Sequence, residues 1–282
     1  MRVTIFGATG MLGKALMRQW TEDEITGLGS AQADIRSPDQ IDKAVADNPE
    51  WIVLSAAYTD VDGCETNPML AAAVNTQGAV NVAKAAANSR AKLLFISTDY
   101  VFDGKKNTPY EADDARAPIN VYGKSKADAE EKILGLLPDA CIVRTSWLFG
   151  PGGKCFPDTI LKLAANRPEI EVVNDQRGCP TYTFDLAGAI IKLCRAGAKG
   201  IVHSTNRGVC SWYEFASEIV QQRGLNTIIH PTTSDRFVRP AARPTYSVLS
   251  AASLSRYGIK MRNWQETLPD YLRERDKLLQ VS

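Results

Sequence analysis

The chain has 282 residues, of which 44% are hydrophobic and 23% are charged, and its formal net charge is +1. This length suits one elaborated domain or a large domain with a smaller one attached, and the composition is that of a globular protein. The balanced charge argues against nucleic acid or an anionic membrane as a partner.

The six cysteines are scattered without a Cys-x-x-Cys pair, which argues against a metal site or a disulfide framework. Several lie in apolar runs, so we expect buried free thiols in a reducing compartment. Met1 leads straight into a strand pattern, and no apolar run is long enough to cross a bilayer. We therefore expect a cytoplasmic protein without a membrane segment.

A glycine-rich loop follows the first predicted strand. Residues 3–6 form an apolar run typical of a strand buried on both faces, and residues 11–20 follow a helical pattern. Between them, Gly7, Gly10 and Gly13 allow a tight turn, close approach of a pyrophosphate and packing of helix on strand. The helix N-terminus offers free N–H groups to phosphates. The spacing G-x-x-G-x-x-G predicts dinucleotide binding of the short-chain dehydrogenase kind.

The second predicted strand, residues 25–28, does not end in an acidic residue. An acidic residue there would bind the ribose 2′-hydroxyl and repel a 2′-phosphate. Gly29 and Ser30 stand at that position instead, so both NADPH and NADH are expected cofactors. Asp34 follows and is a candidate contact for the adenine edge.

Further strands and helices alternate along the first half. Apolar strands are predicted at 51–55, 93–97 and 141–144, with an alanine-rich helix at 69–88. Short β-α repeats of this kind predict a Rossmann-like, doubly wound parallel sheet of the α/β class. Ligands of such sheets bind beyond the carboxyl ends of the strands. Thr59, Thr98 and Tyr100 are expected at such ends.

Residues 120–126 place a phenol and an ammonium group four positions apart. If this segment begins a helix, Tyr122 and Lys126 lie on one face, one turn apart. An ammonium group lowers the pKa of a nearby phenol, which can then exchange a proton with a substrate oxygen near neutral pH. Alone, the spacing is more typical of an ordinary surface helix.

Several longer motifs accompany this pair, and together they resemble the extended short-chain dehydrogenase/reductases. Within that family the chain is most similar to the dTDP-4-dehydrorhamnose reductases. The resemblance covers most of the sequence and includes GATGMLG, AAYTDVDGCE, STDYVFDG, NVYGKSK, VRTSWLFG and NDQRGCPT.

The resemblance implies a catalytic triad of Thr98, Tyr122 and Lys126. Thr98 would hydrogen-bond the sugar carbonyl oxygen, Tyr122 would protonate it, and Lys126 would hold the nicotinamide ribose and keep Tyr122 acidic. The implied cofactor contacts are Gly7, Thr9, Gly10, Met11, Leu12, Gly13, Asp34, Ile35, Ala56, Ala57, Tyr58, Asn75, Tyr122 and Lys126. The implied substrate contacts are Thr59, Val61, Thr98, Asp99, Tyr100, Trp147, Arg177, Arg239 and Arg243.

The residues after Thr98 distinguish between reactions of the family. Related 4,6-dehydratases carry an Asp-Glu pair there, because elimination of water needs both an acid and a base. Here Asp99 is followed by Tyr100, so the glutamate base is missing. A ketone reduction needs no such base, and the residues therefore favour a reductase.

The second half is expected to form a smaller C-terminal α/β substrate-binding domain. We predict residues 1–145, rejoined by about 174–205, as the dinucleotide-binding domain, and 146–173 with 206–282 as the sugar-nucleotide domain. Helices are predicted at 156–165, 183–195, 264–279 and from Ser211 to Arg223, and strands at 170–173 and 200–205. Arg177, Arg239 and Arg243 are candidate phosphate contacts.

The resemblance implies NADPH- or NADH-dependent reduction of the 4-keto group of dTDP-4-dehydro-L-rhamnose. Two alternatives stay open: reduction of another 4-keto-6-deoxy nucleotide sugar, and a non-catalytic, NADP-binding regulatory subunit of the methionine adenosyltransferase type. Some relatives hold Mg²⁺ at a dimer contact built from C-terminal glutamates. No acidic cluster in this sequence reproduces that site, so no metal ligand is assigned, and Mg²⁺ dependence and a homodimer stay open.

Overall fold

A parallel β-sheet forms the centre of the structure, a computed structural model that describes residues 1–281. The strands are β1 (Arg2–Phe6), β2 (Glu24–Leu28), β3 (Trp51–Leu54), β4 (Lys92–Thr98), β5 (Cys141–Thr145), β6 (Leu148–Phe149), β7 (Glu169–Val173), β8 (Arg177–Gly178), β9 (Thr181–Tyr182), β10 (Gly200–His203), β11 (Cys210–Ser211) and β12 (Ile228–Thr232). The central sheet has the order β10-β5-β4-β3-β1-β2, and all its neighbouring strands are parallel. The predicted parallel sheet is confirmed, and β10 returns to it as predicted.

Some of the helices cover both faces of this sheet. The helices are α1 (Met11–Gln19), α2 (Pro38–Ala44), α3 (Val61–Thr66), α4 (Pro68–Ala71), α5 (Ala79–Ser89), α6 (Val121–Leu136), α7 (Phe156–Ala164), α8 (Thr183–Arg195), α9 (Trp212–Arg223), α10 (Ala252–Ser255) and α11 (Trp264–Val281). Helices α1 and α8 pack on one face, and α2, α5 and α6 pack on the other. This is the doubly wound arrangement that the β-α alternation predicts.

The period of two along each strand explains why both faces are buried. In β3, Trp51 and Val53 belong to the core beneath α1 and α8, whereas Ile52 and Leu54 belong to the core beneath α5 and α6. Successive side chains of a strand point to opposite faces, so a continuous apolar run supplies both cores.

A separate apolar core lies in the second half of the chain. It joins α7, α9 and α11 to β7, with Phe149, Phe215 and Tyr271 fully buried at its centre. Strand β7 pairs in parallel with β12, which forms a small second sheet. Ser211 and Glu214 form a complete capping box at the start of α9, so the predicted cap is confirmed.

The helix predicted over 69–88 is interrupted in the middle. Residues Ala72–Gly78 form a π-helical segment between α4 and α5, and Asn75 lies within it. Single π-helical turns frequently mark functional sites. All six cysteines are free and buried, as predicted. Of the helices within residues 1–281, none is both long and apolar enough to span a membrane.

Candidate active site

The segment that carries Tyr122 and Lys126 begins helix α6, as predicted. Asn120 caps the helix, because its side-chain oxygen accepts a hydrogen bond of 2.7 Å from the backbone N–H of Gly123. Gly123 has no space for a side chain, since a Cβ atom would lie 2.1 Å from the backbone oxygen of Tyr100. This contact holds the first turn of α6 against the segment that follows β4.

The Tyr122 phenol lies beside the end of β4. Its ring meets the Tyr100 ring edge-on, with centroids 6.0 Å apart and planes at 78°. Burial raises the pKa of the Tyr122 phenol, the Asp99 carboxyl group raises it further, and the Thr98 hydroxyl opposes the rise. The lowered pKa expected from Lys126 is wrong in direction, because burial outweighs any effect of the amine. A phenol with a raised pKa stays neutral at physiological pH and can donate its proton.

Thr98 and Asp99 form a hydrogen-bonded pair at the same strand end. Thr98 Oγ1 lies 3.0 Å from Asp99 Oδ1, and the backbone N–H of Tyr100 donates to Thr98 Oγ1 at 3.2 Å. Asp99 is 2% exposed, and burial raises the pKa of its carboxyl group to about 7 against the opposing effects of Ser247 and Thr98. Both residues therefore lie beside the phenol, where the sequence predicts them.

Lys126 is buried one turn after Tyr122. Its Nζ lies 3.9 Å from the centroid of the Phe95 ring, and burial lowers the pKa of the amine to about 7, although Glu130 raises it. Glu130 in turn accepts hydrogen bonds from Arg144 Nη2 at 2.7 Å and from Ser97 Oγ at 2.5 Å. The Glu130 carboxylate therefore favours a charged amine on Lys126, and Arg144 and Ser97 hold that carboxylate in place.

The glycine loop has the tight geometry that dinucleotide binding requires. Gly7 has a φ angle of +90°, and a Cβ atom there would lie 2.5 Å from the backbone nitrogen of Ala56. A Cβ atom at Gly13 would lie 2.1 Å from the Gly7 carbonyl oxygen, so α1 packs directly on the loop. Gly10 precedes the first residue of α1, and no side chain caps that end. The residues present therefore fit a dinucleotide at the helix N-terminus.

The other predicted cofactor contacts of the glycine loop differ in exposure. Thr9 is exposed, Met11 is half-buried, and Leu12 is buried in the core beneath α1. Ala57 and Tyr58 are half-buried in the loop after β3. Thr9 is therefore the loop side chain most open to a ligand.

Asp34 and Ile35 lie in the segment after β2. The Asp34 carboxylate accepts two hydrogen bonds of 3.0 Å from Arg36 Nε, and this pairing lowers the pKa of Asp34. Ile35 is buried, and a Cβ atom at Gly78 would lie 2.8 Å from it. The cation Arg36, which the sequence reasoning overlooked, therefore stands beside the predicted adenine contact.

Asn75 is engaged by protein groups on both sides of its amide. Its Oδ1 accepts a hydrogen bond of 2.8 Å from the backbone N–H of Tyr58. Its Nδ2 donates to the backbone carbonyl oxygen of Tyr58 at 3.0 Å and to Ser125 Oγ at 3.0 Å. The π-helical turn thereby ties the loop after β3 to helix α6. Asn75 positions this loop through its backbone.

A cavity of about 710 Å³ opens beside this site. Three predicted substrate residues line it: Tyr100, Arg239 and Arg243. The rest of the wall is largely apolar and comes from α7, β7, Trp212 and the segment 234–242. A volume of this size suits a drug-sized ligand with a few oriented polar groups.

The arginines of the segment 239–243 are bound to Asp62 at the start of α3. Arg243 makes a bidentate pair with the Asp62 carboxylate, with N–O distances of 2.6 and 2.9 Å. This contact lowers the pKa of Asp62 to about 2. Arg239 reaches the same carboxylate at only 3.4 Å and is 59% exposed. Thr59 is exposed and Val61 half-buried at the same helix start. Of the two arginines, Arg239 is therefore the one open to a ligand.

Trp147 follows β5 in a strained backbone conformation, with a φ angle of +48°. Its ring stacks face to face on Trp212, with centroids 3.5 Å apart, and a Cβ atom at Gly178 would lie 2.5 Å from it. Trp212 also lines the cavity. Arg177 does not line the cavity and reaches Glu214 at 3.4 Å. The sequence reasoning overlooked Trp212, because nothing in its local pattern separates it from a core residue.

Glu130 and Asp62 also belong to the site and were not predicted, although the sequence gives a signal for Glu130. Glu130 stands four positions after Lys126, a spacing that pairs side chains on a helix. Asp62 gives no such signal, because its partner Arg243 is 181 positions away. Within residues 1–281, no group of three or more His, Cys, Asp or Glu side chains is arranged to hold a metal ion.

Comparison with known proteins agrees with this geometry. A family model described as RmlD substrate binding domain matches residues 1–277. Spore coat polysaccharide biosynthesis protein SpsK of Bacillus subtilis is 42% identical, covering 97% of this chain and 98% of that protein. A dTDP-4-dehydrorhamnose reductase of Mycolicibacterium smegmatis is also 42% identical, covering 95% and 84%.

A solved structure shares the whole architecture. The dTDP-4-dehydrorhamnose reductase of Bacillus anthracis, crystallised in complex with NADP, superposes with a TM-score of 0.94 at 40% identity, covering 97% of this chain and 99% of that one. The fold and site thus define a Rossmann-type, NAD(P)-binding protein of the short-chain dehydrogenase/reductase class. Within that class, the chain belongs to the RmlD substrate-binding-domain family.

Proposed function

We propose that the chain is an NADPH-dependent reductase that converts dTDP-4-dehydro-L-rhamnose to dTDP-L-rhamnose. The observation that carries the proposal is the pair of hydroxyl groups of Thr98 and Tyr122 beside the end of β4, with Lys126 buried one turn further on. The dTDP-4-dehydrorhamnose reductase of M. smegmatis, with 42% identity over nearly the whole chain, supports the choice of substrate.

The three residues have distinct roles in this proposal. NADPH, when bound, supplies the hydride that adds to the carbonyl carbon. Tyr122 transfers its proton to the carbonyl oxygen, and its raised pKa keeps that proton in place beforehand. Thr98 donates a hydrogen bond to the same oxygen, a contact worth roughly 2.7–4 kcal/mol of barrier in oxyanion sites. Lys126, when charged, stabilises the phenolate that remains on Tyr122.

The cofactor would lie along the carboxyl edge of the sheet. Gly7, Gly10 and Gly13 leave room for its pyrophosphate at the start of α1, with Thr9, Met11 and Leu12 of the same loop around it. Ala56, Ala57 and Tyr58 would face the nicotinamide half, held by Asn75. No acidic residue ends β2, where Gly29 follows Leu28. This composition favours tolerance of the 2′-phosphate of NADPH.

The adenine would lie at the other end of the cofactor. Asp34 and Ile35 are the proposed contacts, and Arg36 holds the carboxylate of Asp34 in place. The pairing leaves other lone pairs of the carboxylate free to accept from an adenine amino group.

The sugar nucleotide would extend from Tyr122 into the 710 Å³ cavity. Thr59, Val61, Asp99, Tyr100 and Trp147 are the proposed neighbours of the sugar. For the phosphates we favour Arg239, because it is exposed and only weakly paired. Arg243 would have to leave Asp62, and Arg177 would have to leave Glu214.

A reductase of another 4-keto-6-deoxy nucleotide sugar is the second candidate. SpsK, named for spore coat polysaccharide biosynthesis, is as similar to this chain as the M. smegmatis reductase. The catalytic residues would be the same for either sugar. A non-catalytic regulatory subunit is disfavoured, because Thr98, Tyr122 and Lys126 are all present, with Thr98 and Lys126 buried and Tyr122 half-buried.

A substrate panel tests the proposal. The purified protein is mixed with NADPH or NADH and with dTDP-4-dehydro-L-rhamnose or other dTDP- and UDP-linked 4-keto-6-deoxy sugars, and loss of NAD(P)H absorbance is followed. We expect kcat/KM to be at least about tenfold higher for the L-rhamnose precursor with NADPH. Thr98→Val serves as the matched control, since it removes the hydroxyl but preserves the shape. A higher kcat/KM for another keto sugar, or turnover of none, would contradict the proposal.

A further inference from the structure

The hydroxyl group of Thr98 can form fewer hydrogen bonds than there are neighbouring groups able to bond to it. A threonine hydroxyl donates one hydrogen bond and accepts two. The backbone N–H of Tyr100 occupies one lone pair, and Asp99 Oδ1 lies 3.0 Å from the same oxygen. One lone pair and the single proton therefore have to serve Asp99, the Tyr122 phenol and the substrate oxygen.

Burial opposes a negative charge on Asp99 and raises its pKa, whereas Ser247, Thr98 and the backbone of Asp99 and Tyr100 favour the charge. The Asp99 side chain is 2% exposed, and no group within residues 1–281 donates a hydrogen bond to Oδ2. A buried carboxylate with an unpaired oxygen is far costlier than a neutral carboxylic acid. In the neutral acid, a proton on Oδ1 would point at Thr98, and only a carbonyl oxygen would be left unpaired.

We propose that Asp99 is a positioning residue whose protonation sets the direction in which Thr98 donates its hydroxyl proton. When Asp99 is neutral, Thr98 accepts from Asp99 and from the Tyr100 N–H, so its own proton is free for the substrate oxygen. When Asp99 is ionised, Thr98 donates to Asp99, and its free lone pair attracts the proton of Tyr122. The substrate oxygen then loses both donors. This inference rests on the proposed function.

Other titratable groups near Asp99 stay neutral around physiological pH. The titratable groups around Asp99 are the phenols of Tyr100 and Tyr122 and the thiol of Cys179. Burial raises the pKa of all three. Ser247 faces the carboxyl group and favours its ionised form. None of these groups can therefore replace Asp99 as the group that titrates.

Charged groups lie near the neighbours of Asp99. Arg243 and Asp62 interact with Tyr100, the neighbour of Asp99, and they form a pair of opposite charges. Lys126 lies on α6, and burial lowers the pKa of its amine to about 7, the same value to which burial raises the pKa of Asp99. A test has to separate these two residues.

The pH dependence of kcat/KM for the 4-keto sugar with saturating NADPH provides the test. Because the neutral form of Asp99 is the competent one, we expect kcat/KM to fall about 10²-fold from about pH 6 to about pH 9. In Asp99→Asn the amide N–H donates to Thr98 at every pH. Relative to its own value at about pH 6, kcat/KM of that variant is expected to stay level up to about pH 9.

Lys126→Arg is the matched control, because its side chain stays charged across this range. If Asp99 causes the fall in kcat/KM with rising pH, Lys126→Arg still shows this fall and Asp99→Asn does not. The opposite pattern, or a fall that persists in Asp99→Asn, overturns the proposal.

Titration of the Asp99 carboxyl carbon by ¹³C NMR, assigned by its absence from Asp99→Asn, provides a readout that needs no turnover. A chemical shift that shows a protonated carboxyl group up to about pH 7 supports the proposal. A shift that changes near the ordinary pKa of about 4 overturns it. Absence of turnover by the wild-type protein at every pH would instead contradict the proposed function.

Discussion

Replacing Glu130 by glutamine tests the buried charge network beneath the proposed catalytic residues. Glu130 is 0% exposed and Arg144 is 1% exposed. Their contacts include hydrogen bonds of 3.0 Å from Arg144 Nε and 2.7 Å from Arg144 Nη2, and Ser97 donates to the same carboxylate. The neutral amide would leave the guanidinium charged and buried without its partner. Removing one member of a buried ion pair costs about 3–5 kcal/mol, so we expect a loss of that size in the free energy of unfolding.

The same substitution has a second, local effect. Burial lowers the pKa of Lys126 to about 7 even though the Glu130 carboxylate raises it in part. Without this carboxylate the pKa of the amine falls further, and less of Lys126 is charged at neutral pH. We therefore expect a fall in kcat as well as in stability.

Urea unfolding followed by circular dichroism measures the stability change, and NADPH oxidation measures the activity. Glu131→Gln is the matched control, because Glu131 is the exposed neighbour on the same helix and should change stability by less than about 0.5 kcal/mol. A loss below about 1 kcal/mol for Glu130→Gln would refute the reasoning, because it would mean that Arg144 does not depend on this partner.

Three further substitutions test other parts of the site. Trp212→Leu removes the stacked partner of Trp147 and should raise KM for the sugar nucleotide about tenfold, with NADPH affinity unchanged, as measured by steady-state kinetics. Gly7→Ala combines a φ angle of +90° with a contact of 2.5 Å to the backbone and should weaken NADPH binding more than tenfold (~1.4 kcal/mol) in calorimetry. Asp62→Asn weakens the hold on Arg243 and frees it for the phosphates, so it should lower KM for the sugar nucleotide more than it changes kcat. A KM or an NADPH affinity equal to the wild-type value would count against the contact that the substitution tests.

The sheet could be predicted from the sequence because its signals are local. Apolar runs of four to seven residues alternate with helical patterns, and the period of two within each run supplies both buried faces. The placement of Tyr122 and Lys126 was equally local, since Asn120 caps the helix that carries both.

The errors and omissions concern interactions that spacing does not show. The alanine-rich stretch around Asn75 reads as an ordinary α-helix, and the π-helical turn accompanies contacts with Tyr58 and Ser125. The raised pKa of Tyr122 depends on burial, which four-residue spacing does not show. The residue roles, the two-domain division, the cytoplasmic location and a homodimer stay predictions.

Turnover by Tyr122→Phe tests the central claim most directly. Phenylalanine keeps the ring that meets Tyr100 but lacks the hydroxyl group that is proposed to protonate the sugar oxygen. With NADPH and dTDP-4-dehydro-L-rhamnose, we predict a fall in kcat of at least about 10²-fold at saturating NADPH. Full turnover by this variant would contradict it.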